Sequence, residues 1–146
     1  MFFSDLTSSG AIPALTATLQ FAARRHEVLA ANVANLNTPE FQPQDVDPAS
    51  FQRALGDAID DRRARFGGTR GELDFGSSRA IGVDHRGNLR LNPKPTDRGP
   101  LRHDRNNSDL DSIMKDVAEN TMVYRMSAEL LQSRFNLLRS AITERV

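Results

Sequence analysis

The chain contains no cysteine. A disulfide framework, a thiolate metal site and a thiol nucleophile are thereby excluded, and redox chemistry loses its usual side chain. Net charge is missing as well, since 19 Lys and Arg balance 19 Asp and Glu. Bulk electrostatics therefore point neither to a nucleic-acid binder nor to an acidic tail, and partners must be selected by shape. Lysine occurs only at Lys94 and Lys115, all other cations being arginine, which reads as coding bias before it reads as function. No apolar run approaches the ~18 residues of a membrane span. The opening Met1-Phe2-Phe3-Ser4-Asp5-Leu6 has no basic start, the first cation being Arg24, so no cleaved secretory signal is visible.

Chemistry is equally scarce. His26, His85 and His103 lack any metal-ligand spacing, and no cysteine can supplement them. His26 falls in an apolar seam and is expected to be a packed seam-edge residue. Gly67-Gly68-Thr69-Arg70-Gly71 lacks the Lys-Ser/Thr ending of a phosphate loop and reads as a flexible linker. Arg62, Arg63, Arg65 and Arg70 are interleaved with Asp57, Asp60, Asp61, Glu72 and Asp74, which cancels the field a phosphate would need and suggests a salt-bridged face. Asp109 and Asp111 are explained as helix-start residues. With no nucleophile, base and oxyanion arrangement to place, the chain is expected to be no enzyme and to need no cofactor or metal.

What is present is apolar periodicity, concentrated at the two ends. Ile12, Leu15, Leu19, Ala22, His26, Leu29, Val33 and Leu36 alternate three- and four-residue steps, a coiled-coil type seam. Phe21 and Val28 widen the face, implying burial against more than one neighbour. Thr7, Ser8 and Ser9 offer N-caps, Pro13 suits the first turn, and Asn37-Thr38-Pro39 stops the helix near Leu36 to Asn37, with Asn37 able to take the left-handed conformation. At the other end Leu110, Met114, Val117, Thr121, Tyr124, Ala128, Leu131, Phe135, Leu138 and Ile142 keep the same alternation, with no Gly or Pro after Pro100. Ser108, Asp109 and Asp111 supply the cap and the negative charge that a helix start favours. Val123, Leu130 and Leu137 form a second row off this seam. Two paired helices cannot cover both rows, so the expectation is a core completed by association, over a self-contained bundle whose middle covers the stripe.

Between the ends, Pro39, Pro43 and Pro48 punctuate a connector, and Phe51, Leu55 and Ile59 predict a short helix over 49–65. Seven of the nine glycines fall between Gly67 and Gly99. Strand-like pieces at 79–83 and 88–91 flank an Arg86-Gly87-Asn88 turn, with too few apolar residues for a sheet without a partner. The fold expected is mainly α: two long terminal helices forming a coiled-coil type hairpin, joined by a Pro/Gly-rich irregular middle with one short β-hairpin. Its parts are the N-terminal helix 1–37, a connector with a short helix 38–61, the irregular middle 62–107 and the C-terminal helix 108–146. Asn32, Asn35 and Asn120 lie beside the seams of helices they do not favour, and are expected to hydrogen-bond across helix contacts and fix register.

The stretch Ala30-Ala31-Asn32-Val33-Ala34-Asn35-Leu36-Asn37-Thr38-Pro39-Glu40-Phe41 resembles the signature of flagellar rod and hook proteins, a helix end written A-N-[IV]-A-N, two variable residues, then T-P-G-[YF]. Glu40 replaces the usual Gly, so the turn after Pro39 is made without a residue that freely adopts positive φ. Asn107-Ser108-Asp109-Leu110-Asp111, Met114, Ala118-Glu119-Asn120 and Tyr124, together with the short middle, are similar to the proximal rod subunits of that group. The resemblance covers roughly residues 10–60 and 104–142. It implies a structural subunit of the flagellar basal body that passes torque from motor to hook and filament. It also implies manufacture in the cytoplasm, export without a cleaved signal through the flagellar type III export apparatus, and assembly in the periplasm. Partners implied are copies of itself, other rod subunits and the basal-body adaptor at the base of the rod, with no nucleic acid and no membrane span. The residues expected at assembly contacts are Leu15, Leu19, Leu29, Asn32, Val33, Asn35, Thr38, Pro39, Phe41, Phe51, Leu110, Val117, Asn120, Tyr124, Leu131, Phe135, Leu138 and Ile142, with Phe41 and Phe51 as apolar anchors on a neighbour. The rival reading is a soluble helical adaptor or export chaperone that binds a partner helix and never polymerises.

Overall fold

In the computed structural model, residues 10–67, 70–76, 81–84, 88–96 and 110–143 are described. The architecture is mainly helical, with a long helix toward each end and small two-stranded sheets in the middle. Helix α1 spans Ile12–Ala34, with Pro13 in its first turn. The caps expected at Thr7, Ser8 and Ser9, and the Ser108-Asp109 start of the last helix, lie outside the described residues. Strand β1 (Gln44–Asp45) leads into helix α2 (Pro48–Phe66), then strands β2 (Ile81–Val83), β3 (Leu89–Leu91) and β4 (Lys94–Pro95) precede helix α3 (Leu110–Thr143).

Helix α2 begins where local chemistry dictates. The Asp47 carboxylate accepts hydrogen bonds from the backbone N–H of Ala49 (3.1 Å) and Ser50 (3.0 Å), Pro48 occupies the first turn, and Gly67 closes the helix at φ 72°. Helix α1 stops at Ala34, slightly before the expected boundary. Its C-cap Asn35 is not left-handed (φ −103°), and the one described non-glycine residue with positive φ is Glu40 rather than Asn37.

Helices α1 and α3 pack antiparallel. The Asn120 side-chain amide donates to the Ala22 carbonyl at 2.8 Å, and Arg25 lies 3.8 Å from Asp116, so moving forward along α1 moves backward along α3. This register places Ile12 opposite about residue 130 at equal rise per residue. The remainder of α3 runs past the described start of α1. At 1.5 Å per residue α3 is roughly 51 Å long and α1 roughly 35 Å.

The face of α1 turned away from α3 carries the core. Ala17, Phe21, Val46, Phe51, Ile81 and Leu89 form one buried cluster, with Leu73 and Phe75 against its edge. The Phe21 and Phe51 rings stack at 4.1 Å and 9°, and Phe75 follows at 6.4 Å from Phe51. The middle is therefore better packed than its composition suggested, because α1 supplies the apolar surface it lacks. Strands β2 and β3 pair antiparallel, Ile81 opposite Leu91 and Val83 opposite Leu89. Gln20 of α1 accepts the Leu89 N–H at 3.1 Å. A second ladder, β1 with β4, pairs Gln44 with Pro95 and Asp45 with Lys94 across some fifty residues of sequence, and Thr96 N–H donates to the Pro43 carbonyl at 2.8 Å. Two-residue strands leave no alternation to read, so this ladder had no sequence signal.

Candidate functional site

Three features stand out: a polar joint centred on α1, a strained turn at its end and an exposed helical surface on α3. In the joint, Arg25 is buried in the middle of α1. Its Nε donates to Asp45 Oδ1 at 2.8 Å and its Nη2 to Asp45 Oδ2 at 2.6 Å, a bidentate pair, with Asp116 of α3 at 3.8 Å. Burial works against the guanidinium charge, but the bond to Asp45 and the charges of Asp45, Asp116 and Glu119 outweigh it and hold the Arg25 pKa above its ordinary value. Asp45 Oδ1 also accepts the Val46 N–H at 2.8 Å. One side chain thus ties α1, the connector and α3 together. Sequence reasoning missed it; the available signal was a cation one helical turn after Phe21 and one before Leu29, on a face otherwise apolar.

Asn32 and Asn120 complete the joint. Asn32 Nδ2 donates to the Gln44 carbonyl at 2.7 Å, and its Oδ1 accepts the Gln44 N–H at 3.0 Å, so the amide side chain stands in for a neighbouring strand. Asn120 alone of the three asparagines bonds from one helix to another. Asn32 instead holds the connector. Asn35 acts locally, donating to Ala31 O at 2.9 Å and accepting from Thr38 Oγ1 at 3.4 Å, which closes the end of α1.

The turn after α1 is the second feature. Thr38 N–H donates to Asn35 O at 3.0 Å, and Phe41 N–H donates to Thr38 O at 3.2 Å. Pro39 is the second residue of this turn and Glu40 the third, at φ 61°, which are the requirements of a type II turn. The turn is made in spite of the missing glycine, with Glu40 held in a conformation costing an L-residue roughly 1–2 kcal/mol. Thr38 and Pro39 are exposed and Phe41 is half-buried. Phe51 is only 3% exposed and belongs to the chain's own core. Its expected role as an anchor on a neighbour is corrected accordingly.

The third feature is the surface of α3. Its buried residues are Ile113, Asn120 and Ser127, at seven-residue spacing. Of the expected seam, Val117, Thr121, Ala128, Leu131 and Leu138 are half-buried, whereas Leu110, Met114, Tyr124, Phe135 and Ile142 are exposed. The stripe facing α1 thus lies to one side of the apolar pattern. Short side chains explain the offset: fully buried Ala22 meets Asn120, and Ser127 satisfies its hydroxyl on the Val123 carbonyl at 2.7 Å. On α1, Leu29 is buried, Leu15, Leu19 and Val33 are half-buried, and His26 faces solvent rather than a seam, because the buried face centres on Phe21, Arg25 and Asn32. Among the described residues, ten of the twelve exposed large hydrophobics lie on α3. They form rows on both sides of the buried stripe, Val123, Leu130 and Leu137 among them.

Among the described residues no helix is long and apolar enough to cross a membrane. Residues 14–42, from the first turn of α1 through the strained turn, match the family model of the Flagella basal body rod protein. The match is a likeness to that family over this segment, 29 of the 146 residues. No curated protein matches the chain significantly.

Proposed function

We propose that the chain is a structural subunit of the proximal rod, of the FlgB type, and that it passes torque from the motor toward hook and filament. The observation that carries this reading is the segment matched to the rod family, folded as a helix end followed by a turn with positive φ at the position where rod-type sequences place glycine. The exposed apolar rows of α3 support it, since surfaces of this kind mark an interface. On this reading, copies of the chain, other rod subunits and the basal-body adaptor cover those rows, and the chain reaches the periplasm unfolded through the flagellar type III export apparatus without signal cleavage. The exposed Thr38-Pro39 turn with Phe41 meets a neighbouring subunit, and the terminal helices form the assembly contacts. No step of this role needs catalysis.

Deletion of the gene in its host, with electron microscopy of purified basal bodies, tests the reading. Rings without a rod, and motility restored only by a copy retaining both long helices, are the expected result. Intact basal bodies and normal swimming would remove the rod reading and leave the helical adaptor or export chaperone.

A further inference from the structure

Charge is polarised along α3. Residues 110–124 carry Asp111, Asp116 and Glu119 against Lys115, whereas residues 125–143 carry Arg125, Arg134 and Arg139 against Glu129. The helix dipole accounts for Asp111 in the first turn, and buried Arg25 faces Asp116 and Glu119, but neither accounts for Arg125, Glu129 and Arg134. Exposed Asp111, Lys115 and Glu119 follow one another at four-residue steps. Fourteen residues later, two heptads in coiled-coil terms, exposed Arg125 and Glu129 stand where Asp111 and Lys115 would recur, with both signs reversed, and Arg134 follows one residue past the position equivalent to Glu119.

Two further observations bear on the same helix. Its basic end projects beyond the described start of α1 by roughly the same length, about thirteen residues on the register set by Asn120 and Arg25. Its apolar rows differ from each other: Met114, Tyr124 and Phe135 lie on one side of the buried stripe, Met122, Met126 and Leu130 on the other. Two unlike rows fit a contact in which one row of a copy meets the other row of the next, an arrangement that continues rather than closing into a pair.

Resting on the assembly reading above, we propose that neighbouring copies of this chain lie with their α3 helices parallel and displaced by about fourteen residues, roughly 21 Å along the axis. The basic second half of one helix then runs beside the acidic first half of the next. The displacement sets Arg125 against Asp111 and Glu129 against Lys115 and brings Arg134 within one residue of Glu119, with Arg125 against Arg139 the one like pair. Helices in register would bring every charge beside its own kind. A shift of four residues also alternates signs, but it leaves each half of the helix opposite its like and the projecting end without a partner. Each exposed ion pair adds little affinity; together they fix the register while the apolar rows supply the attraction.

Because the chain has no cysteine, single-cysteine variants give a clean test. Ala118 and Gln132 are exposed, uncharged and fourteen residues apart, as are Met122 and Asn136. Differently tagged full-length chains carrying Ala118→Cys and Gln132→Cys, or Met122→Cys and Asn136→Cys, are mixed and treated with a short dithiol-reactive crosslinker, as purified protein and in isolated basal bodies. Mixed 118–132 and 122–136 products should both dominate over products joining identical positions. Lys115→Glu in the first chain should lower the 118–132 yield roughly two- to fivefold at low salt, and Glu129→Lys in the second should restore it. Dominant 118–118 products, a preferred 118–122 product, or only one of the two mixed pairs, as an antiparallel arrangement gives, would each overturn the displacement, as would no product. Rods that contain the chain but yield neither pair overturn the displacement and leave the rod reading standing. Basal bodies without the chain remove the rod reading, and the purified protein alone then decides the displacement.

Discussion

The two long helices have similar periodicity and opposite fates. Helix α1 is buried on two sides, against the aromatic core through Ala17 and Phe21 and against α3 through Ala22 and Arg25. Helix α3 buries one narrow stripe of Ile113, Asn120 and Ser127 and leaves its largest side chains outside. An apolar row therefore does not by itself say whether a helix serves its own chain or a neighbour. What separates them is the connector. The described residues between 38 and 96 fold back onto α1 and are held there by Arg25, Asn32 and Gln20, so α1 becomes the spine of the subunit.

Breaking the joint should hurt most. Arg25→Ala removes the bidentate cationic partner of buried Asp45, and a buried pair that loses one partner costs about 3–5 kcal/mol; urea or thermal unfolding of the purified chain reads the loss. Leu130→Ala, on the exposed face of α3, should change monomer stability by no more than about 0.5 kcal/mol. Equal losses for the two variants would mean that α3 is buried within the chain as fully as α1.

A second pair sharpens the contrast within the connector. Phe51→Ala removes a ring stacked on Phe21 and should destabilise by about 3–5 kcal/mol. Half-buried Phe41 beside the exposed turn should cost the monomer about 1–2 kcal/mol when changed to Ala. Phe41→Ala is nevertheless expected to impair rod assembly and swimming. Unchanged motility and intact basal bodies would show that the anchor role of Phe41 is wrong.

Much of this division was legible in the sequence, though not the part that decides it. Unbroken three–four alternation gave α1 and α3, Phe51, Leu55 and Ile59 gave α2, and the Arg86-Gly87-Asn88 turn marked the hairpin of β2 and β3, although residues 85–87 lie outside the described ones. Periodicity weights large apolar side chains, whereas the contact between α1 and α3 selects small ones, Ala22 against Asn120, so the buried stripe of α3 was placed to one side. The pairing of Arg25 with Asp45 and of Gln44 with Pro95 joins residues far apart in the chain, and nothing local announces either. Phe51 read as an anchor because an aromatic in a connector looks available until its stacking partner is known.

Smaller effects belong to the turn that joins the two regimes. Glu40 sits at φ 61°, so Glu40→Gly removes left-handed strain while adding freedom to the unfolded chain; the two terms oppose each other, leaving a stabilisation of about 1 kcal/mol at most. A melting temperature lowered by the substitution would mean that the Glu40 side chain makes contacts outweighing its strain.

The smallest effect tests the start of α2, which sends the connector back toward α1. Hydrogen bonding from the Ser50 hydroxyl, then from the Ala49 and Ser50 N–H groups, with Arg53 nearby, holds the Asp47 pKa below its ordinary value against a small opposing effect of burial. A carboxylate whose folded pKa is lowered stabilises the fold above its unfolded pKa, near 4, and that contribution is lost as pH falls through the lower folded value. Asp47 is largely exposed, so solvent screening keeps the linked term well under about 1 kcal/mol. Asp47→Asn keeps an N-cap acceptor and removes the titration. Its unfolding free energy, compared with the parent chain, should differ more at pH 6 than at pH 3. A difference that stays constant between those values would assign the contribution of Asp47 to its cap hydrogen bonds alone, with no part for its charge.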